Sequence, residues 1–158
     1  MLSFYEKKIK LEELMMQFIV EGKPQGKARA RTFYNKRLGK MQSITPEQTK
    51  SYEDLIRWSY RAAGGRYMGE ATLQVDIQAF YPIPKSFNRQ KRKEAQMEDL
   101  RPTSKPDCDN IIKVVLDALN GVAYYDDKQV VCVSCNKYYG ETGYIKIEIK
   151  EIGNENQT

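Results

Sequence analysis

The stretch Lys105–Lys113 reads KPDCDNIIK, with Asp107 and Asp109 two residues apart and Lys113 one helical turn beyond the second. At the mouth of a helix, one such acid serves as an N-cap, its carboxylate accepting backbone N–H groups. Asp109 is the expected cap, so Asp107 is more than capping requires. Asp109, Lys113 and Asp117 follow one another at intervals of four and share one helix face. The opposite face is expected to carry a buried stripe of Ile112, Val115, Leu116 and Leu119. After the helix, the run YYDDKQ adds Asp126 and Asp127. A helix of this length spans about 15 Å, and an extended return through GVAYY would bring one of those two acids back beside the helix mouth.

Three carboxylates gathered in this way repel. Two unit charges 4 Å apart cost about 4 kcal/mol at an effective dielectric near 20, against a total stability of about 5–15 kcal/mol. A captured cation removes that penalty. All-oxygen ligands suit a hard ion, Mg²⁺ or Mn²⁺, which keeps several waters and leaves room for a phosphate oxygen and an attacking water. The same residues also admit a purely structural reading, with Asp109 as a cap, Lys113 pairing with Asp109 and Asp117, and YYDDKQ as a polar turn.

Other chemistries are narrowed by what is missing. The chain has no histidine, which excludes a Ser-His-Asp triad, a Cys-His pair and a histidine base. Cys132 and Cys135 form a C-x-x-C, but structural zinc takes four Cys or His ligands, and VVCVSCNKYY reads as a strand rather than the helix start of a redox site. Reduced thiols in or near the core are expected. Hydrolysis would have to rest on carboxylates, lysine, tyrosine or a metal ion.

The charge is modest, +5 with a pI near 9.0, but unevenly placed. From Gly22 to Pro46 there is no acid, while Lys23, Lys27, Arg29, Arg31, Lys36, Arg37 and Lys40 all fall there. A second basic run holds Lys85, Arg89, Lys91, Arg92 and Lys93, and Lys105 adjoins the acids. Such clusters suit a phosphate backbone, where each neutralised charge releases counterions; a solvated, solubilising face is the alternative. A metal site beside a phosphate-binding surface is the layout of a nuclease.

The elements that would position these residues are legible in outline. Residues 1–16 read as a charged helical lead-in, Gln17–Gly22 as a first strand, and KPQGKARARTFYNKRLGK as a basic hairpin or arm turning at Asn35 and Gly39. Thr45 as N-cap and Pro46 at the first helical position open a helix that buries Tyr52, Leu55, Ile56 and Ser59 and stops at Gly64-Gly65. Ala71–Tyr81 alternates as a strand with Leu73, Val75, Ile77 and Ala79 inward. Ser86–Leu100 is a polar, basic helical segment, and Asn110–Asn120 is the helix after KPDC, closed by Gly121. Gln129–Tyr139 and Tyr144–Ile152 are expected as an antiparallel pair, and 153–158 as a frayed tail. The fold class is α/β (α+β), a single domain over residues 1–158 with one mixed sheet flanked by helices. The hydrophobic fraction of 41% fits a folded core, no apolar run nears the roughly 18 residues of a membrane span, and the start lacks a signal peptide's apolar centre. A cytoplasmic protein is expected.

KPDCDNIIKVVLDALNGVAYYDDKQV, Lys105–Val130, resembles the signature of the RusA family of Holliday-junction resolvases: D-x-D-N-x-x-K, a helix ending in D-A-L, a short loop, then D-D-x-Q-[VI]. The rest of the chain agrees in outline only. The resemblance implies a Mg²⁺-dependent endodeoxyribonuclease, with Mn²⁺ substituting, that works as a homodimer and cuts four-way or other branched DNA by paired symmetric nicks in recombination and repair. It implies no nucleotide cofactor and no membrane, and a bacterial or phage-encoded, often prophage, origin. Asp107, Asp109 and Asp127 match the family's metal-binding acids, with Asp126 as the alternative to Asp127, and Lys113 matches its required lysine. Two rival readings are a PD…D-x-K endonuclease built on Pro106-Asp107 and Asp127-Lys128, and a non-catalytic basic DNA-binding module.

Overall fold

The structure, a computed structural model, describes residues 1, 3–6 and 15–153. Most of the expected lead-in and nearly all of the expected tail lie outside the described residues. The strands are β1 (Met15–Glu21), β2 (Arg31–Asn35), β3 (Lys40–Ile44), β4 (Leu73–Pro82), β5 (Val130–Gly140) and β6 (Tyr144–Glu151). The helices are α1 (Glu47–Ala62), α2 (Arg89–Gln96) and α3 (Cys108–Leu119), with a 3₁₀ turn at Asp127–Gln129.

β1, β6, β4 and β5 form one mixed sheet in that order, antiparallel except for the parallel β4–β5 pair. The alternation read from the sequence sets its two faces. Leu73, Val75, Ile77 and Ala79 of β4 and Ile145, Ile147 and Ile149 of β6 are fully buried, and they pack with the apolar faces of α1 and α3 into one core. Burying such side chains contributes about 1.5–3 kcal/mol each, so a one-residue register slip would forfeit the core.

The expected β5–β6 pairing is corrected: β4 lies between them. The short Glu141–Gly143 link therefore passes over the end of β4. Its tight course is visible at Gly143, where a Cβ would stand 2.8 Å from the Lys23 Cα. The reason is energetic: β4 is buried on alternate residues along its whole length, and a central position pairs both of its edges.

Helix details shift as well. Pro46, not Thr45, is the cap of α1, because its ψ of 143° is extended; its carbonyl accepts the Thr49 and Lys50 N–H groups. Leu55 is 38% exposed, and Thr49, Glu53 and Tyr60 take buried places instead. α3 begins two residues earlier than expected, with Asp107 rather than Asp109 at the cap position. Its buried set is Ile111, Val114, Val115, Ala118 and Leu119, with Ile112 and Leu116 half-buried. The helix is rotated because it faces both the sheet and α1 at once. It ends where Gly121 turns left-handed, φ +72°, as the sequence indicates.

The basic hairpin forms from β2 and β3 as a separate two-stranded ribbon. The basic segment after β4 is helical at α2, capped by the Asn88 side chain accepting the Lys91 N–H at 2.9 Å. It seats only Ala95 in the core, while the preceding Phe87 ring meets Tyr139 edge-on, centroids 5.4 Å apart.

Candidate active site and nucleic-acid interface

The α3 mouth is held from two sides. The Tyr81 hydroxyl donates to the Pro106 carbonyl at 3.1 Å, while the Lys137 ammonium donates to the Ser104 carbonyl. The Arg101 guanidinium sits over the Tyr138 ring, 3.9 Å from its centroid. On the other side the β1–β2 connection presses onto the helix. A Cβ at Gly26 would lie 2.8 Å from the Pro106 Cβ and 2.9 Å from that of Asn110, so only glycine allows this approach. The Lys27 N–H then donates to the Asn110 carbonyl at 2.8 Å, and the Ala28 N–H to Thr49 Oγ1 at 3.3 Å.

Between this strap and the helix mouth lies an open cleft of about 1050 Å³. Asp107, Asp109 and Lys113 line it together with the cationic residues Lys23, Lys27, Arg29 and Lys105. The Asp107 carboxylate makes no capping hydrogen bond although it stands at the cap position. Asp109 and Lys113, both exposed, pair at 3.2 Å. Two carboxylates beside bound phosphate and water are a sufficient protein contribution for Mg²⁺, so the oxygen donors here fit a hard cation.

Asp126 and Asp127 do not return to the helix mouth. Asp126 caps the 3₁₀ turn: its carboxylate accepts the Lys128 N–H at 2.9 Å while its own N–H donates to Gln129 Oε1 at 2.8 Å. That hydrogen bond to Lys128 holds the Asp126 carboxyl below the ordinary range. Asp127 lies by Asn120 and Asp117, at the far end of α3; burial first, then the Asp126 carboxylate, pushes its pKa up. Among the described residues no three carboxylate or thiol groups of one chain converge to hold a metal ion. The path of GVAYY explains the placement. Gly121 reverses the chain, its N–H donates to the Tyr124 carbonyl at 2.8 Å, and Tyr124 is buried against the end of the helix with its hydroxyl donating to the Leu116 carbonyl at 2.9 Å.

The basic residues divide. Arg29 and Lys105 face the cleft, Arg31 lies in β2 and Lys36 and Arg37 in the ribbon's turn, while Arg89, Lys91 and Arg92 lie on α2. Lys27 also lines the cleft, but its ammonium is committed to carboxylates, pairing with Asp117 at 2.9 Å and with Glu53. Burial alone would lower its pKa, but the hydrogen bonds to those two carboxylates raise it on balance. Glu53, 8% exposed, also faces Arg57 at 3.7 Å, and Arg57 donates to the Ala118 carbonyl at 3.0 Å. Glu53 is the site residue that the sequence did not single out. Its one local signal is the spacing of four to Arg57; its main partner is 26 residues away.

Cys108 donates weakly to the Cys135 carbonyl at 3.6 Å, and burial first raises Cys135 to about 12, so that thiol stays protonated. The three cysteines are free; Cys108 and Cys135 are half-buried, while Cys132 is exposed rather than in or near the core. The PD…D-x-K arrangement needs its acids on neighbouring strands of one hairpin. Here Asp107 precedes a helix and Lys128 sits in the 3₁₀ turn, so that geometry is absent.

Comparison with known proteins identifies the family. The family model for endodeoxyribonuclease RusA matches residues 21–150. The uncharacterized protein YqaN of Bacillus subtilis (strain 168) is 32% identical over 139 residues, 87% of this chain and 96% of the relative. A Lactococcus phage r1t protein named crossover junction endodeoxyribonuclease rusA is 29% identical over 115 residues, 72% of this chain and 81% of the relative. The matched span begins at the last residue of β1 and takes in the strap, the ribbon, α3 and the Asp126-Asp127 turn. With the family model matched over residues 21–150 and such relatives, the chain belongs to the RusA family of endodeoxyribonucleases.

Proposed function

We propose that this enzyme resolves four-way and related branched DNA, in recombination and repair, by Mg²⁺-dependent paired nicks, acting as a homodimer. The observation that carries the reading is one open cleft in which Asp107, Asp109 and Lys113 stand beside Arg29 and Lys105. Asp107 and Asp109 would hold the ion, and Mn²⁺ should substitute. When bound, the ion supplies Lewis-acid polarisation of the scissile phosphate and a water of lowered pKa.

The chain's own residues do the rest. Arg29 and Lys105 position the phosphodiester by charge-assisted hydrogen bonds from opposite walls. Lys113 is drawn toward Asp109 in the free protein and is placed to neutralise the charge that builds on phosphorus during in-line attack. Asp126 is spent on capping, which favours Asp127 as the functional member of that pair. Asp127 lies away from the cleft in its own chain, so its share in the chemistry requires the second copy of the dimer. A two-fold dimer also matches the pseudo-symmetry of a four-way junction.

The test is to incubate pure protein, with and without Mg²⁺, with a synthetic junction and a linear duplex of matched sequence. Nicks confined to the junction and to the reactions with Mg²⁺ are expected. Equal cutting of the linear duplex, or cutting that ignores a chelator, contradicts the reading.

A further inference from the structure

The β2–β3 ribbon is more than a set of cations. Among the described residues no other element packs broadly against it, and a lone two-stranded hairpin is marginal in water. Its tip is nonetheless built. The Asn35 side chain accepts the N–H groups of Arg37 at 3.0 Å and Leu38 at 3.2 Å and donates to Gln42 Oε1 at 2.6 Å. Gly39, φ +63°, closes the turn. This ordered tip presents Leu38, 57% exposed, and behind it on one face the opposed pair Tyr34, 57%, and Met41, 61%. The Tyr34 hydroxyl leans toward Gly39, so the apolar face continues to the tip, where Lys36 and Arg37 flank it. Phosphate grip alone needs no apolar face, and a patch left in water is costly in solubility.

We propose that the ribbon tip is a wedge for unstacked bases: Leu38, with Tyr34 and Met41 behind it, enters between bases at the branch point while Lys36 and Arg37 hold the flanking phosphates. Apolar side chains inserted at base steps, flanked by cations, are a general way to open stacked DNA, and aromatic faces hold bases without regard to sequence. The absence of acids from Gly22 to Pro46 selects a polyanion over a second protein chain as the occupant. The inference rests on branched DNA being the substrate.

The experiment compares the wild type with a Tyr34→Ser, Leu38→Ser double variant on a four-way junction carrying 2-aminopurine at the branch point. Fluorescence is read without divalent ion and nicking at saturating junction with Mg²⁺. Both side chains are exposed, so the melting temperature should be unchanged. The wild type should brighten the probe; the variant should not, and its nicking should fall about tenfold or more. Its log–log salt slope of binding should be unchanged, since no phosphate contact is lost. A variant that brightens the probe and nicks like the wild type overturns the wedge while leaving the resolvase reading intact. A variant whose sedimentation shifts to a smaller species assigns the ribbon to a second copy and also overturns it. A wild type that neither binds nor nicks the junction removes the substrate reading and the wedge with it.

Discussion

At Lys113 the proposed reading separates grip from chemistry. The side chain is exposed and, among the described residues, pairs with Asp109 alone, so Lys113→Ala should leave the fold and junction affinity nearly intact and lower kcat by about 10²–10³, as for loss of one transition-state donor. Single-turnover nicking at saturating junction measures this, and a pure affinity loss would contradict the role. Asp127 makes a prediction about pH. Its folded pKa is raised, by burial and then by Asp126, so protonated Asp127 favours the fold. That contribution is complete below the unfolded pKa and is lost as pH rises through the folded value. At pH 7 the ionised group is therefore a burden, and Asp127→Asn should raise the melting temperature there by about 1–3 °C. Near pH 3 the difference should vanish; a lower melting temperature at pH 7 would show that the carboxylate is stabilised instead. KPDCDNIIK and YYDDKQ carried these residue types openly in the sequence. Their separation in space was not legible, because it depends on where Gly121 and Tyr124 send the chain.

On the proposed reading, the strap from Gly26 to Ala28 joins substrate grip to chemistry. It meets α3 through Gly26 and Lys27 and α1 through Ala28, and it runs on into the ribbon. Lys27→Met removes the cation shared by Glu53 and Asp117, leaving the nearly buried Glu53 with Arg57 alone, at a cost of about 2 kcal/mol. Because Lys27 is committed to those carboxylates, its loss should lower stability and kcat but leave the salt slope of DNA binding unchanged. A slope reduced by about one would make it a phosphate contact instead. Gly26→Ala should displace the same strap and lower nicking more than binding. At this scale the sequence was most readable where the pattern is local. Period-two alternation gave β4 and β6, and Asn35 with Gly39 gave the ribbon turn. The phase of α3 and the β4 strand between β5 and β6 were not readable, because both are set by partners distant along the chain.

For the whole molecule, the proposed reading makes dimerisation part of the chemistry, because Asp127 lies at the far end of α3 from Asp107. If each cleft draws Asp127 from the second copy, Asp107→Asn and Asp127→Asn chains are each inactive, but a mixed dimer holds one intact site and one doubly defective site. Mixing the two inactive proteins should then restore nicking, one strand at a time; silence in the mixture would mean that both acids act within one chain. The central claim is coupled cutting at a DNA branch, and a supercoiled plasmid with an extruded cruciform reads it directly. Paired nicks within one bound complex convert the circle to a linear product, whereas independent nicks give a relaxed circle. Linear product with Mg²⁺, absent with Asp109→Asn, is the predicted result; relaxed circles alone, or cutting indifferent to the cruciform, would contradict it.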